Sequence, residues 1–270
     1  RLLLRDAVAA INDAAADPRV AGLSAQFGMA GELPLAQAQE LHAAIRGFRA
    51  AKAEAPTVAW ADEFVGRQYY LGSAFQDVYV QPGSQVSLPS LSTELPFLRG
   101  FLARWGVKFE AVKRSEFKNA LDQFTEKSAT PDQQKATYRL LRSLFEEMSA
   151  DVAAARGVSA RQLRRLCARS TELTAAEATR ARLLSGTRYA DENADAVAKE
   201  AGTRAKLSLA SYHRKIKLQK EKRAFRERVA SAGAGPAALD EVAKALPALK
   251  DFTGGGSAAA PAADGAAADG

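Results

Sequence analysis

Val20-Ala21-Gly22-Leu23-Ser24-Ala25-Gln26-Phe27 is a short, largely apolar run set between the breakers Asp17-Pro18 and Gly28-Met29-Ala30-Gly31. A run of this length between such breakers predicts a buried strand. From Leu35 to Ala53 the period changes: Leu41, Ala44, Ile45 and Phe48 form a helical stripe, with Pro34 suited to a first helical position. Pro56-Thr57-Val58-Ala59-Trp60-Ala61 is a second strand-like run. Strand, helix, strand with short connections is the unit of a parallel sheet, because the crossover helix returns the chain to run in the same direction. The fold class expected is therefore α/β, built of βαβ units.

The pattern continues on both sides. Residues 1–15 carry Leu4, Ala7, Val8 and Ile11 at helical spacing. After the second strand a short helix is expected over Tyr69–Phe75, a third strand over Asp77–Val80, and a further extended piece over Val86–Leu91. A helix over Glu94–Trp105 would turn Leu95, Leu98, Phe101 and Leu102 inward, and Val107–Val112 would be another strand. Pro131–Arg156 predicts a long amphipathic helix with Tyr138, Leu141, Leu144, Phe145, Met148 and Val152 as its apolar row. Gly157-Val158-Ser159 separates it from a helix starting near Ala160. Thr174 and Glu177 form a capping box for a further helix, expected to close at Gly186. The folded domain is expected over residues 1–195, followed by a basic linker over 196–235. Residues 236–270 are expected to hold a short helix, Ala237–Leu249, and a Gly/Ala/Pro/Ser tail that has little to bury.

Charge narrows the function classes. The chain carries 38 basic and 31 acidic residues, a net +7. Between Lys199 and Arg228 there are eleven basic residues against Glu200, Glu221 and Glu227. That local excess of eight leaves the remainder of the chain at −1, so no fold-wide phosphate-binding surface and no nucleic-acid partner is expected. The basic segment reads as a solvated linker or as a contact for a membrane surface. The only cysteine, Cys167, excludes an internal disulfide and suits a buried inert thiol. His42 and His213 lack metal-ligand spacing and local partners; neither a metal nor a cofactor is expected, and both histidines read as structural. No apolar run reaches transmembrane length. The chain opens on Arg1, already in a helical pattern, and is read as a fragment.

One stretch carries chemistry. Val112-Lys113-Arg114-Ser115-Glu116-Phe117-Lys118-Asn119-Ala120-Leu121-Asp122-Gln123-Phe124 opens a helix whose apolar face would be Phe117, Ala120, Leu121 and Phe124. A lysine whose amine is held in an apolar pocket loses its preference for the charged form and becomes a general base. Most lysines near a helix start are instead solvated or snorkelling, and spacing alone leaves both readings open for Lys118.

These pieces together resemble the signal peptide peptidases of the protease IV type, over about residues 1–195. Ser115-Glu116-Phe117-Lys118-Asn119-Ala120-Leu121-Asp122-Gln123-Phe124 resembles the family's Gly-x-Tyr-Lys-Ser-Ala-x-Glu-Pro-Phe, with Lys118, Ala120 and Phe124 matching. Ser115 replaces Gly and Gln123 replaces Pro. The resemblance implies a Clp-protease/crotonase-like superhelix of βαβ units and a dyad of Ser nucleophile and Lys base. In the long form the first repeat gives the Lys and the second gives the Ser. Lys118 is then the base, and Gly66, in Gly66-Arg67-Gln68-Tyr69-Tyr70-Leu71, occupies the nucleophile position without a side chain. Ala30 and Gly31 correspond to the oxyanion loop, and Ala178–Asp191 resembles the closing helix and turn. Ser73, Ser84, Ser87, Ser90 and Ser92 lie beyond the nucleophile position and suit turns or caps.

The resemblance further implies peptide substrates such as spent signal peptides and no cofactor. The partners it implies are a second repeat in the full-length chain and further copies in a homo-oligomer. The place would be the membrane, on the bacterial periplasmic side or at the chloroplast thylakoid. Two other readings stand beside it: a non-catalytic ring-assembly half, and a crotonase-like acyl-binding enzyme using Asp62 and Glu63.

Overall fold

The computed structural model describes residues 2–28 and 33–231. In chain order the elements are α1 (Leu4–Ala16), β1 (Leu23–Phe27), α2 (Leu35–Ala51), β2 (Thr57–Ala61), α3 (Gln68–Gly72), β3 (Asp77–Val80) and β4 (Gln85–Ser87). There follow α4 (Arg99–Arg104), α5 (Asp122–Thr125), α6 (Pro131–Arg156), α7 (Ala160–Arg169), β5 (Glu172–Thr174), α8 (Ala175–Arg180), β6 (Gly186–Thr187), α9 (Ala190–Glu200) and α10 (Leu209–Ser231).

The expected βαβ arrangement is present. Strands β1, β2, β3 and β6 lie in that order and are all parallel, with Leu23 to Phe27 facing Thr57 to Ala61 in register. Every residue of β2 is buried, which is why the inner strand is apolar from Val58 to Ala61. At the sheet edge β1 alternates between half-buried and exposed. Ile11 and Ala14 of α1 and Ala38, Ala44, Ile45 and Phe48 of α2 join Ala59 and Ala61 in one core. β4 and β5 form a separate antiparallel pair. Trp60 Nε1–H donates to the carbonyl of Arg188 at 2.9 Å, and the Arg188 guanidinium lies 3.7 Å from the centre of the Tyr79 ring, which fixes the chain after β6 on the sheet.

α6 has the bounds its sequence predicts. Thr130 Oγ1 accepts from the N–H of Gln133, Pro131 stands in the first turn, and Gly157 closes the helix at φ 63°. The capping box of α8 also forms, with Thr174 Oγ1 accepting from Glu177 N–H at 3.3 Å and Glu177 Oε2 accepting from Thr174 N–H at 3.0 Å. α8 ends at Arg180 rather than at Gly186, because Arg182 takes a left-handed turn at φ 63° and releases the chain into β6.

The segment between β4 and α6 departs from expectation. Of the helix expected over Glu94–Trp105 only Arg99–Arg104 forms, and Leu95, Leu98 and Phe101, expected inward, are exposed. Val107–Val112 takes no regular secondary structure and pairs with no strand, so its alternating side chains have no sheet to bury against. The helix expected to open at Lys118 is reduced to α5. Along α6 only the carboxy-terminal half, at Met148 and Val152, enters the core, while Tyr138 is exposed.

The chain divides into two units, Arg1–His213 and Arg214–Gly270. In the first, Asp17 accepts from the Arg19 side chain and from Tyr212 Oη–H at 3.1 Å, and these bonds hold its carboxyl well below the usual range. In the second, Arg223 pairs with Glu227 at 2.8 Å. The expected helix Ala237–Leu249 and the low-complexity tail lie outside the described residues.

Candidate functional site

After Ala61 the chain leaves β2 through the exposed Asp62 and Glu63, then turns inward at the fully buried Phe64. Phe64 bridges Val86, and its carbonyl accepts from Ser87 N–H at 2.8 Å, so the turn is held from the side of β4. Gly66 follows at φ 50°, a left-handed conformation that glycine adopts without a side-chain penalty. α3 starts immediately and buries Tyr69 and Tyr70. The Tyr69 hydroxyl donates to Leu183 O at 2.8 Å and locks α3 to the segment before β6.

This strand–turn–helix junction forms one wall of a pocket of about 190 Å³ beyond the carboxyl end of β1. Phe27, Leu33 and Leu71 give it apolar walls, with Gly28, Arg67 and Gln68 at its polar side. Gln68 Nε2 donates to Gly28 O at 2.9 Å, and Arg67 Nε donates to Leu33 O at 3.0 Å. The two bonds tie the start of α3 to the chain that leaves β1. A crevice outside the carboxyl ends of parallel strands is where α/β sheets place ligands. Gly66 adjoins it through Arg67. Gly28, at the start of the glycine turn, lines it; Ala30 and Gly31 lie outside the described residues. Asp62 and Glu63 do not line it.

Lys118 is not among the residues lining this pocket. It is exposed, in a turn where its N–H donates to Ser115 O at 3.1 Å. The apolar surround expected from Phe117, Leu121 and Phe124 is not closed: Phe117 is 52% and Leu121 40% exposed, and nearby Val112 is 97% exposed. Phe124 packs instead on Phe109, ring centres 5.1 Å apart. The loop is held together by a contact the sequence did not signal. Lys113 Nζ donates to Oδ1 of Asp122, whose side chain is fully buried. Lys113 therefore faces a carboxylate rather than standing as a free charge.

A second polar cluster lies inside the domain. His42 is buried and stacks on Tyr70 with ring centres 4.7 Å apart, and the Tyr70 hydroxyl donates to Asp151 Oδ2 at 2.7 Å. Burial pushes His42 down to about 4, and burial with the Asp151 bond pushes the Tyr70 hydroxyl above its ordinary value. Burial likewise pushes the Cys167 thiol up to about 11, as suits an inert thiol. Ser73 is buried and donates to Tyr70 O at 2.7 Å, a structural bond. Among the described residues no group of three or more His, Cys, Asp or Glu is placed to hold a metal ion. No described helix is long and apolar enough to cross a membrane.

The profile of peptidase family S49 matches residues 49–204, a stretch that contains both Gly66 and Lys118. No curated protein matches the chain. Among solved structures, an enoyl-CoA hydrotase/isomerase family protein from Silicibacter pomeroyi is similar over 88% of this chain and 86% of that one, at 16% identity and a TM-score of 0.40. So loose a likeness carries no argument about the site.

Proposed function

Because this chain belongs to peptidase family S49, we propose that it serves a serine-type endopeptidase with a Ser-Lys dyad, supplying Lys118 as the base while a second repeat supplies the serine. The observation that carries this reading is a pair of incomplete features in one domain. The nucleophile-equivalent position is Gly66, which has no hydroxyl, and Lys118 stands exposed beside Val112, Phe117 and Leu121, themselves exposed.

Each feature is incomplete in a way that a docked second repeat would repair. An amine accepts a proton at neutral pH only when its charged form is disfavoured, and covering the apolar side chains around Lys118 would desolvate it. Lys118 Nζ would then take the proton from the incoming serine Oγ as that oxygen forms its bond to the peptide carbonyl carbon. The carbonyl oxygen becomes the oxyanion and is held by backbone N–H groups. Lys118 next returns the proton to the leaving amine, and a water repeats the sequence to release the acyl group. The substrates in this reading are signal peptides or other membrane-derived peptides, and the place of action is a membrane face, periplasmic or thylakoid. A non-catalytic assembly role is the second reading, favoured by the exposed Phe101 and Trp105 of the same segment.

The test uses protein that carries both repeats. Lys118→Met is expected to lower cleavage of a hydrophobic peptide by about 10²-fold or more, the scale of a lost general base. It should equally lower labelling of the serine by a fluorophosphonate. Wild-type rates of cleavage and labelling in Lys118→Met would exclude the dyad and leave the assembly role.

A further inference from the structure

α7 has the sequence Ala160-Arg161-Gln162-Leu163-Arg164-Arg165-Leu166-Cys167-Ala168-Arg169, with four arginines and no acidic residue. Leu163 is fully buried and Leu166 and Cys167 are partly buried, so the helix is anchored along one side. Its start is fixed by Ser159, whose Oγ accepts from Gln162 N–H at 3.1 Å. The arginines are exposed. Arg161, Arg165 and Arg169 stand at successive four-residue intervals, which puts them in one row about 12 Å long. They line a single open groove together with Ser159, Gln162 and Leu166.

Like charges four residues apart work against a helix, and a cation in the first turn opposes the helix dipole. Some arginines elsewhere are paired: Arg19 with Asp17, Arg142 with Glu146, Arg188 with Glu200 and Arg223 with Glu227. Among the described residues no carboxylate pairs with Arg161, Arg164, Arg165 or Arg169. Glu177 feels Arg169: its carboxyl is held below its ordinary value first by its bonds to Thr174 and then by Arg169 and Arg180.

We propose that the Arg161–Arg165–Arg169 face of α7 docks on anionic phospholipid headgroups. The guanidinium fork matches the oxygens of a phosphodiester in two parallel bonds. A straight row of three spans several headgroups rather than one ion. Residues 159–170 contain no aromatic side chain to stack on bases, which disfavours a single-stranded nucleic acid on this face. The inference does not depend on the role of Lys118.

The test is co-sedimentation of the full chain with phosphatidylcholine vesicles, with and without phosphatidylglycerol. The native protein is expected to bind only the phosphatidylglycerol vesicles, and less as salt rises. Replacing Arg161, Arg165 and Arg169 together by Gln is expected to weaken binding roughly 100-fold, and Arg165→Gln alone about 5-fold. Two controls remove the same charge elsewhere: Lys135→Gln with Arg139→Gln and Arg142→Gln on α6, and Lys215→Gln with Lys217→Gln and Lys222→Gln on α10. Both should bind nearly as the native chain does. The proposal is overturned if the native chain ignores phosphatidylglycerol, if Arg165→Gln and the triple variant bind like the native chain, or if the α6 or α10 controls weaken binding as much. Displacement of the vesicles by millimolar inorganic phosphate at constant ionic strength would also overturn it, in favour of a single-ion site.

Discussion

His42 shows how one side chain sets a pH dependence. It is 2% exposed, its ring lies against Tyr70, and burial keeps it neutral until about pH 4, with Arg46 and Arg49 adding to burial and Asp151 opposing it. In the unfolded chain the same imidazole takes up a proton near its ordinary value of 6.5. Between those values the unfolded state binds more protons than the native state, so stability is present above about 6.5 and is lost as the pH falls toward 4. The loss from this one group approaches about 3 kcal/mol. Urea midpoints measured from pH 7 to pH 4 should fall across that window, and His42→Phe, which keeps a ring on Tyr70, should flatten the fall. An equal slope in the variant would assign the acid sensitivity to other groups. At the same scale, Lys118 is singled out only through the resemblance of residues 115–124 to a family motif, and nothing in the sequence points to Asp122 as the partner of Lys113. No periodicity links residues nine apart in a chain that is not a continuous helix there.

Single elements divide into those fixed by local chemistry and those that needed a neighbour. The cap of α8 is local, and Thr174→Ala is expected to cost about 1 kcal/mol in chemical denaturation. α6 was also legible, from Pro131, the apolar row and Gly157, but the row did not reveal which half is covered. Met148 is fully buried and Tyr138 is 67% exposed. Met148→Ala should therefore destabilise by about 2–5 kcal/mol. Tyr138→Ala should stay within about 0.5 kcal/mol. Comparable losses at both positions would mean that the amino-terminal half of α6 is covered in solution. Val107–Val112 illustrates the opposite case. Its alternation of Val107 and Phe109 with Lys108 and Glu110 fits a half-buried strand, yet a strand exists only through a partner.

At the scale of the whole molecule the distribution of exposed apolar surface stands out. Phe101, Trp105, Val107, Phe109, Val112, Phe117 and Leu121 are all at least 40% exposed, and all lie between β4 and α6. Clustering of this kind marks contact surfaces more often than isolated exposed residues do. Phe101→Lys with Trp105→Lys is expected to shift the full chain to a smaller species in analytical ultracentrifugation while leaving its unfolding midpoint nearly unchanged. An unchanged sedimentation coefficient would remove this segment from any assembly surface.

The sequence by itself determined the parallel βαβ core, the caps, the long helix and the balanced charge of the residues outside the basic segment. These depend on spacing and on residue chemistry within a turn or two. The tertiary structure alone decided that β6 joins β3, that Gly28, Arg67 and Gln68 meet around one pocket, and that His42, Tyr70 and Asp151 form a buried set. It also decided that Lys118 stands in the open. Burial is a property of what packs against a residue, and those partners are brought together by the path of the chain rather than by its local pattern.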